Sequence, residues 1–125
     1  MSVQTSNDLE IYLLKADVDA LESWLSNTLG EIQADSGDNQ THRWTHLASG
    51  MRIIFTPKAD GNFGCLWFKT NDTPWSDDLA CARAAHSALN VEVRCASTEW
   101  NETASDDSPA WVKLIRGEEK LFDWH

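Results

Sequence analysis

"TPWSDDLACARAAHSAL", Thr73 to Leu89, reads as one helix whose chemistry is ambiguous at first sight, since it carries both a thiol, Cys81, and an imidazole, His86. Five positions separate the two, which places them roughly 140° apart around a helix axis, so they do not meet as nucleophile and base. Ala80, Ala82, Ala84, Ala85 and Ala88 surround the cysteine. Side chains this small let a helix lie close against a sheet, and an unpaired cysteine among them behaves as a small buried hydrophobe. Helix-start chemistry precedes the run, with Ser76 the preferred cap and Thr73 the alternative. The segment is therefore a helix pressed onto strands, and the fold class it predicts is α+β.

Working towards the N-terminus, "LEIYLLKA" (Leu9–Ala16) alternates as a strand, and Asp17 caps "DVDALESWLSNTLG", where Val18, Leu21 and Leu25 recur at helical spacing and Gly30 supplies the stop. A short "EIQA" follows, then a polar stretch, then "HRWTHL" and "MRIIFT" joined as a hairpin through Ala48-Ser49-Gly50; Pro57 to Gly64 reads as a loop. Beyond it "FGCLWFKT" is a strand and, after the helix, "VEVRCA" is another. A polar loop from Ser97 to Pro109 leads to a hairpin of "AWVKLIR" and "KLFDWH" across Gly117-Glu118-Glu119. Each half, about 9–57 and 63–125, reads strand, helix, strand, polar loop, hairpin, a weak internal repeat. The prediction is two βαβββ modules forming a single domain over residues 9–125, antiparallel-rich, with both helices on one face and a flexible segment at 1–8.

The order of elements resembles the glyoxalase and bleomycin-resistance group, the vicinal oxygen chelate superfamily, which is built from paired βαβββ modules. The segment "DTPWSDDLACARAAHSALNVEVRCASTEW" also resembles small bacterial proteins of uncharacterised function. The first resemblance implies a divalent metal held by histidine and glutamate on inward strands. At the matching strands this chain has Leu9-Glu10-Ile11, Gly64-Cys65-Leu66, Met51-Arg52-Ile53 and Lys120-Leu121-Phe122, so Glu10 alone is of ligand type. His42 and His46 share a strand face but lie about 13 Å apart along it, too far to hold one ion. His125 stands alone at the end of the chain. No metal and no cofactor are expected.

The 125 residues carry ten Lys and Arg against 20 Asp and Glu, a net charge of −10. Such acidity disfavours nucleic-acid backbones and anionic membranes as partners. Met1–Asp8 is polar without the pattern of a secretory signal, no run is long and apolar enough to span a bilayer, and three cysteines without CxxC spacing suit reduced thiols. The expected location is cytoplasmic. There is no phosphate-cradling glycine loop, no GxSxG and no HExxH.

The informative pattern is the placement of cations. Lys15, Arg43, Arg52, Lys69, Arg94, Lys113, Arg116 and Lys120 fall on predicted strands or their ends, leaving Lys58 and Arg83 elsewhere, whereas most acids fall on helices and loops. Strand parity sets Arg43, Arg52 and Arg94 on faces opposite the most apolar ones, and Trp44, Trp67, Trp111 and Trp124 are also strand-borne. Arg43, Arg52, Arg94, Trp67, Trp111 and Lys113 are thus the candidate binding residues, on a sheet face left open by the helices and suited to a small anionic ligand or a protein, with a second copy of the chain among the candidate partners. The competing reading is a solvated sheet whose cations pair with Glu10, Glu92 and Asp123. Two other functions stay open: a glyoxalase-like metal-dependent enzyme with atypical ligands, and an acidic inhibitor or immunity-type protein presenting carboxylates to a basic target. The polar stretches Asp35–Thr41 and Ser97–Pro109, with Asp106-Asp107 in the second, are candidate lids.

Overall fold

The computed structural model describes residues 8–35, 41–96 and 111–122. Its elements run β1 (Leu9–Leu14), α1 (Val18–Leu29), β2 (Ile32–Asp35), β3 (His42–His46), β4 (Arg52–Asp60), β5 (Phe63–Phe68), α2 (Asp78–Leu89), β6 (Val93–Ala96), β7 (Trp111–Ile115) and β8 (Glu118–Phe122). All eight strands join one antiparallel sheet in the order β2-β3-β4-β5-β1-β6-β7-β8. The first strand of the chain thus lies inside the sheet, between β5 and β6. The fold is α+β and dominated by its sheet.

Alternation along the strands decides the two faces. In β1, Leu9, Ile11 and Leu13 are buried while Glu10 is exposed; the register carries the same parity into β5, where Leu66 and Phe68 are buried, and into β4, where Ile53 and Phe55 are. Leu21, Trp24 and Leu25 of α1 and Cys81, Ala82 and Ala85 of α2 close over this side and complete one core. Full burial of a leucine such as Leu21, at 0% exposure, contributes about 1.5–3 kcal/mol. The alanine face of α2 brings it down onto β6, β1 and β7, and Trp24 stacks on Trp75 at 5.3 Å between ring centroids, joining α1 to the segment that leads into α2.

Several local expectations need correction. Asp77, rather than Ser76 or Thr73, caps α2, its carboxylate accepting from the Ala80 N–H at 2.9 Å. All three residues are good caps by type, and a carboxylate at the positive helix end is the stronger acceptor. The stretch Pro57–Gly64 is not a loop: β4 continues to Asp60 and Gly61-Asn62 turns the chain straight into β5. Proline is tolerated because the register shifts between Thr56 and Asp60, where Lys58 adopts φ 55° and the ladder is already interrupted. The last hairpin turns at Arg116-Gly117, both at positive φ, one residue earlier than expected. Among the described residues no helix is long and apolar enough to cross a membrane.

Candidate functional site

The face turned away from the helices carries the charged and aromatic side chains. Two cross-strand rows follow from the register. Arg43, Ile54, Trp67 and Glu10 stand opposite one another on β3, β4, β5 and β1. In the next row Cys65, Tyr12, Arg94, Lys113 and Lys120 cross β5, β1, β6, β7 and β8. Arg52 lies opposite Thr45, and Trp111 opposite Ala96 and Phe122, on the same face. All six candidate residues therefore share the open side of the sheet. Trp44 does not: it points into the core at 2% exposure and its Nε1–H donates to Glu22 Oε2 at 2.9 Å. Trp124, Asp123 and His125 lie outside the described residues, as do residues 36–40 of the first candidate lid and the whole of the second, Ser97–Pro109, with Asp106 and Asp107.

Sharing a face does not bring these residues to one point. Arg52 and Arg94 are three inter-strand steps and four residues apart along the strands, roughly 20 Å by sheet spacing. Their surroundings differ as well. Arg43 and Arg52 are exposed and make no ion pair among the described residues. Arg94 is largely buried: its Nε donates to Glu92 Oε2 at 2.9 Å, and its guanidinium lies over Phe63 at 4.2 Å and over Phe122 at 4.7 Å. Lys113 sits over the Phe122 ring at 5.3 Å and Lys69 over Trp67 at 5.2 Å. Tyr12 meets Trp111 edge to face at 5.8 Å. The result is an aromatic and basic platform on β1, β6, β7 and β8, with two guanidinium groups on β3 and β4 that have no ion pair among the described residues.

Acids at and before β1 take up the donors of the neighbouring β5. Glu10 accepts from the Cys65 thiol at 3.2 Å, and Asp8 from the Trp67 indole at 2.7 Å. Burial first, and then the neighbouring Glu10 carboxylate, push the Cys65 thiol up to about 12. Tyr12 is likewise pushed up to about 12 by burial and by its Cys65 and Glu10 neighbours. Neither group is an ionised nucleophile at neutral pH. Cys81 is fully buried and burial raises it well above the ordinary thiol range, so the helix quoted first carries a core cysteine.

The histidines do structural work that the sequence did not reveal. His86 Nδ1 donates to the Val91 carbonyl at 2.8 Å while Nε2 accepts the Gly117 N–H at 3.0 Å, tying the end of α2 to the approach of β6 and to the β7–β8 turn. His46, 7% exposed, donates from Nε2 to the Leu29 carbonyl at 2.7 Å and accepts from Ser49 Oγ at 2.7 Å, tying the end of α1 to the β3–β4 turn. Both rings spend both nitrogens. Among the described residues no group of three His, Cys, Asp or Glu side chains is placed to hold a metal ion. No family model matches the chain, and no curated protein or solved structure matches it.

Proposed function

We propose that the chain is a non-catalytic docking domain whose open sheet face binds an acidic segment of another protein. The observation that carries this reading is the row Arg94, Lys113, Lys120, three cations directly opposed on three adjacent strands of a chain with net charge −10. Like charges opposed across strands repel. Glu92 relieves Arg94, and Glu118 lies 3.6 Å from Lys120, but Lys113 has an aromatic ring and no carboxylate among the described residues. A partner bringing carboxylates removes the repulsion, and Tyr12, Trp111 and Phe122 offer apolar contact between them. The spread of roughly 20 Å from Arg52 to Arg94 favours a polypeptide over a small anion, since only an extended ligand engages both.

The same reading keeps the chain as two βαβββ halves. Its support is the element order, strand-helix-three strands given twice, and the adjacency of the two opening strands, β1 and β5, at mid-sheet.

The test is selection from a displayed random-peptide library. Enriched peptides are expected to combine Asp or Glu with apolar residues and to lose at least tenfold in affinity for an Arg52→Glu, Lys113→Glu double variant that melts like the parent. Enrichment of basic peptides, or affinity untouched by the double variant, overturns the reading.

A further inference from the structure

Four non-glycine residues have left-handed φ among the described residues: Lys15 (50°), Lys58 (55°), Asn90 (59°) and Arg116 (53°). All four line two neighbouring cavities at one end of the sheet. Lys15, Asn90 and Arg116 line a cavity of about 390 Å³ between the end of β1, the end of α2 and the β7–β8 turn; Lys15 and Lys58 line a smaller one beside it, of about 240 Å³. Left-handed backbone is strained for side chains other than glycine and, to a lesser degree, asparagine. Asn90 as a helix C-cap satisfies that preference. Lys15 and Arg116 do not. Arg116 precedes Gly117 in a two-residue hairpin turn with both φ positive, where Asn-Gly is the unstrained choice. An acidic chain has thus placed cations on strained backbone at the rim of one cavity.

The inner wall is apolar, from Leu14, Val91 and Ile115. Its geometry is fixed by His86, whose two ring nitrogens pin Val91 and Gly117 to the end of α2. Glu92 also reaches the wall, with its carboxylate engaged by Arg94. Neither Lys15 nor Arg116 makes an ion pair among the described residues. We propose that this cavity binds a small amphipathic monocarboxylate, its hydrocarbon body against Leu14, Val91 and Ile115 and its head held by Arg116 and Lys15. A guanidinium matches a carboxylate through paired N–H donors. A phosphate dianion fits less well, because α2 presents its C-terminal, carbonyl end here and that end repels concentrated negative charge. The cavity adjoins the docking surface and shares its open-face residues Leu14, Glu92 and Ile115, but the substituted residues, Arg116 and Lys15, lie outside the row of cations that carries the docking reading, so the two readings fail separately.

The experiment titrates ¹⁵N-labelled chain with octanoate, octyl phosphate and octanol, following amide shifts. Octanoate is expected to bind in the sub-millimolar range and to move Val91, Ile115 and Gly117, with octyl phosphate and octanol at least tenfold weaker. Arg116→Asn is expected to raise the melting temperature by relieving the turn and to weaken octanoate at least tenfold. Lys15→Asn is expected to weaken it by a smaller factor. An Arg116→Asn chain that binds octanoate as the parent does, or that melts lower, overturns the proposal, as does octyl phosphate or octanol binding as tightly as octanoate.

Discussion

His86 Nε2 accepts the backbone N–H of Gly117 at 3.0 Å across 31 positions of sequence, so the end of α2 and the last hairpin of the sheet share one imidazole. With Nδ1 already donating to the Val91 carbonyl, Nε2 is the nitrogen left to accept from Gly117. His86→Leu keeps the volume and removes both bonds. The expected cost is about 1–3 kcal/mol, read as a lower urea midpoint with an unchanged slope. Amide exchange should accelerate first at Gly117 and in β8. An unchanged midpoint would deny the histidine this role.

Gly64 faces the core opposite Leu13, and a Cβ built there would stand 2.5 Å from Phe55 Cζ and 3.3 Å from Pro57 Cα. Phe55 is 2% exposed and packed on all sides, so its ring has little space to withdraw. Gly64→Ala is expected to destabilise the chain by about 1–3 kcal/mol through overpacking, measured by chemical denaturation. An alanine that left stability unchanged would mean that β4 and β5 are looser than described.

Tyr12 is the only tyrosine in the chain, so its ionisation can be followed by absorbance without interference from another. Burial and the Cys65 and Glu10 neighbours raise it from the ordinary 10.0 to about 12. The folded chain is expected to titrate near 12 and the denatured chain near 10. A folded-state transition near 10 would place Tyr12 in open solvent, away from Trp111.

Cys65 and Cys95 are raised from the ordinary 9.0 to about 12, and Cys81 is raised as well, burial being the first cause in each case. The folded chain keeps protons that the unfolded chain releases above pH 9. The stability these groups contribute is therefore complete below pH 9 and declines as pH rises from 9 towards 12. The denaturation midpoint should fall across that window, and Cys95→Ala should reduce the slope. At pH 8 the three thiols should resist a disulfide reagent until the chain is unfolded.

Much of this arrangement is written locally. The bounds of α2 follow from its alanines and leucines, and the pleat alone sends Arg43, Arg52, Arg94 and Lys113 to the side away from Leu9, Ile11 and Val93. What the sequence concealed depends on distant partners. Nothing near His86 announces Gly117, and nothing in "LEIYLLKA" says that β1 separates β5 from β6. Pro57 argued for a loop because a register shift that accommodates it is a property of two strands together. Trp44 and Trp67 look alike in sequence, and only the register sends one to the core and the other to the open face.

The proposed docking on the open sheet face can be read residue by residue through amide-shift mapping of the chain with a selected acidic and apolar peptide. Perturbations are expected on the strands, around Arg43, Arg52, Trp67, Lys113 and Trp111, and are expected to weaken as salt rises. Shifts centred on α1 and α2 instead, with the strand residues unmoved, would contradict it.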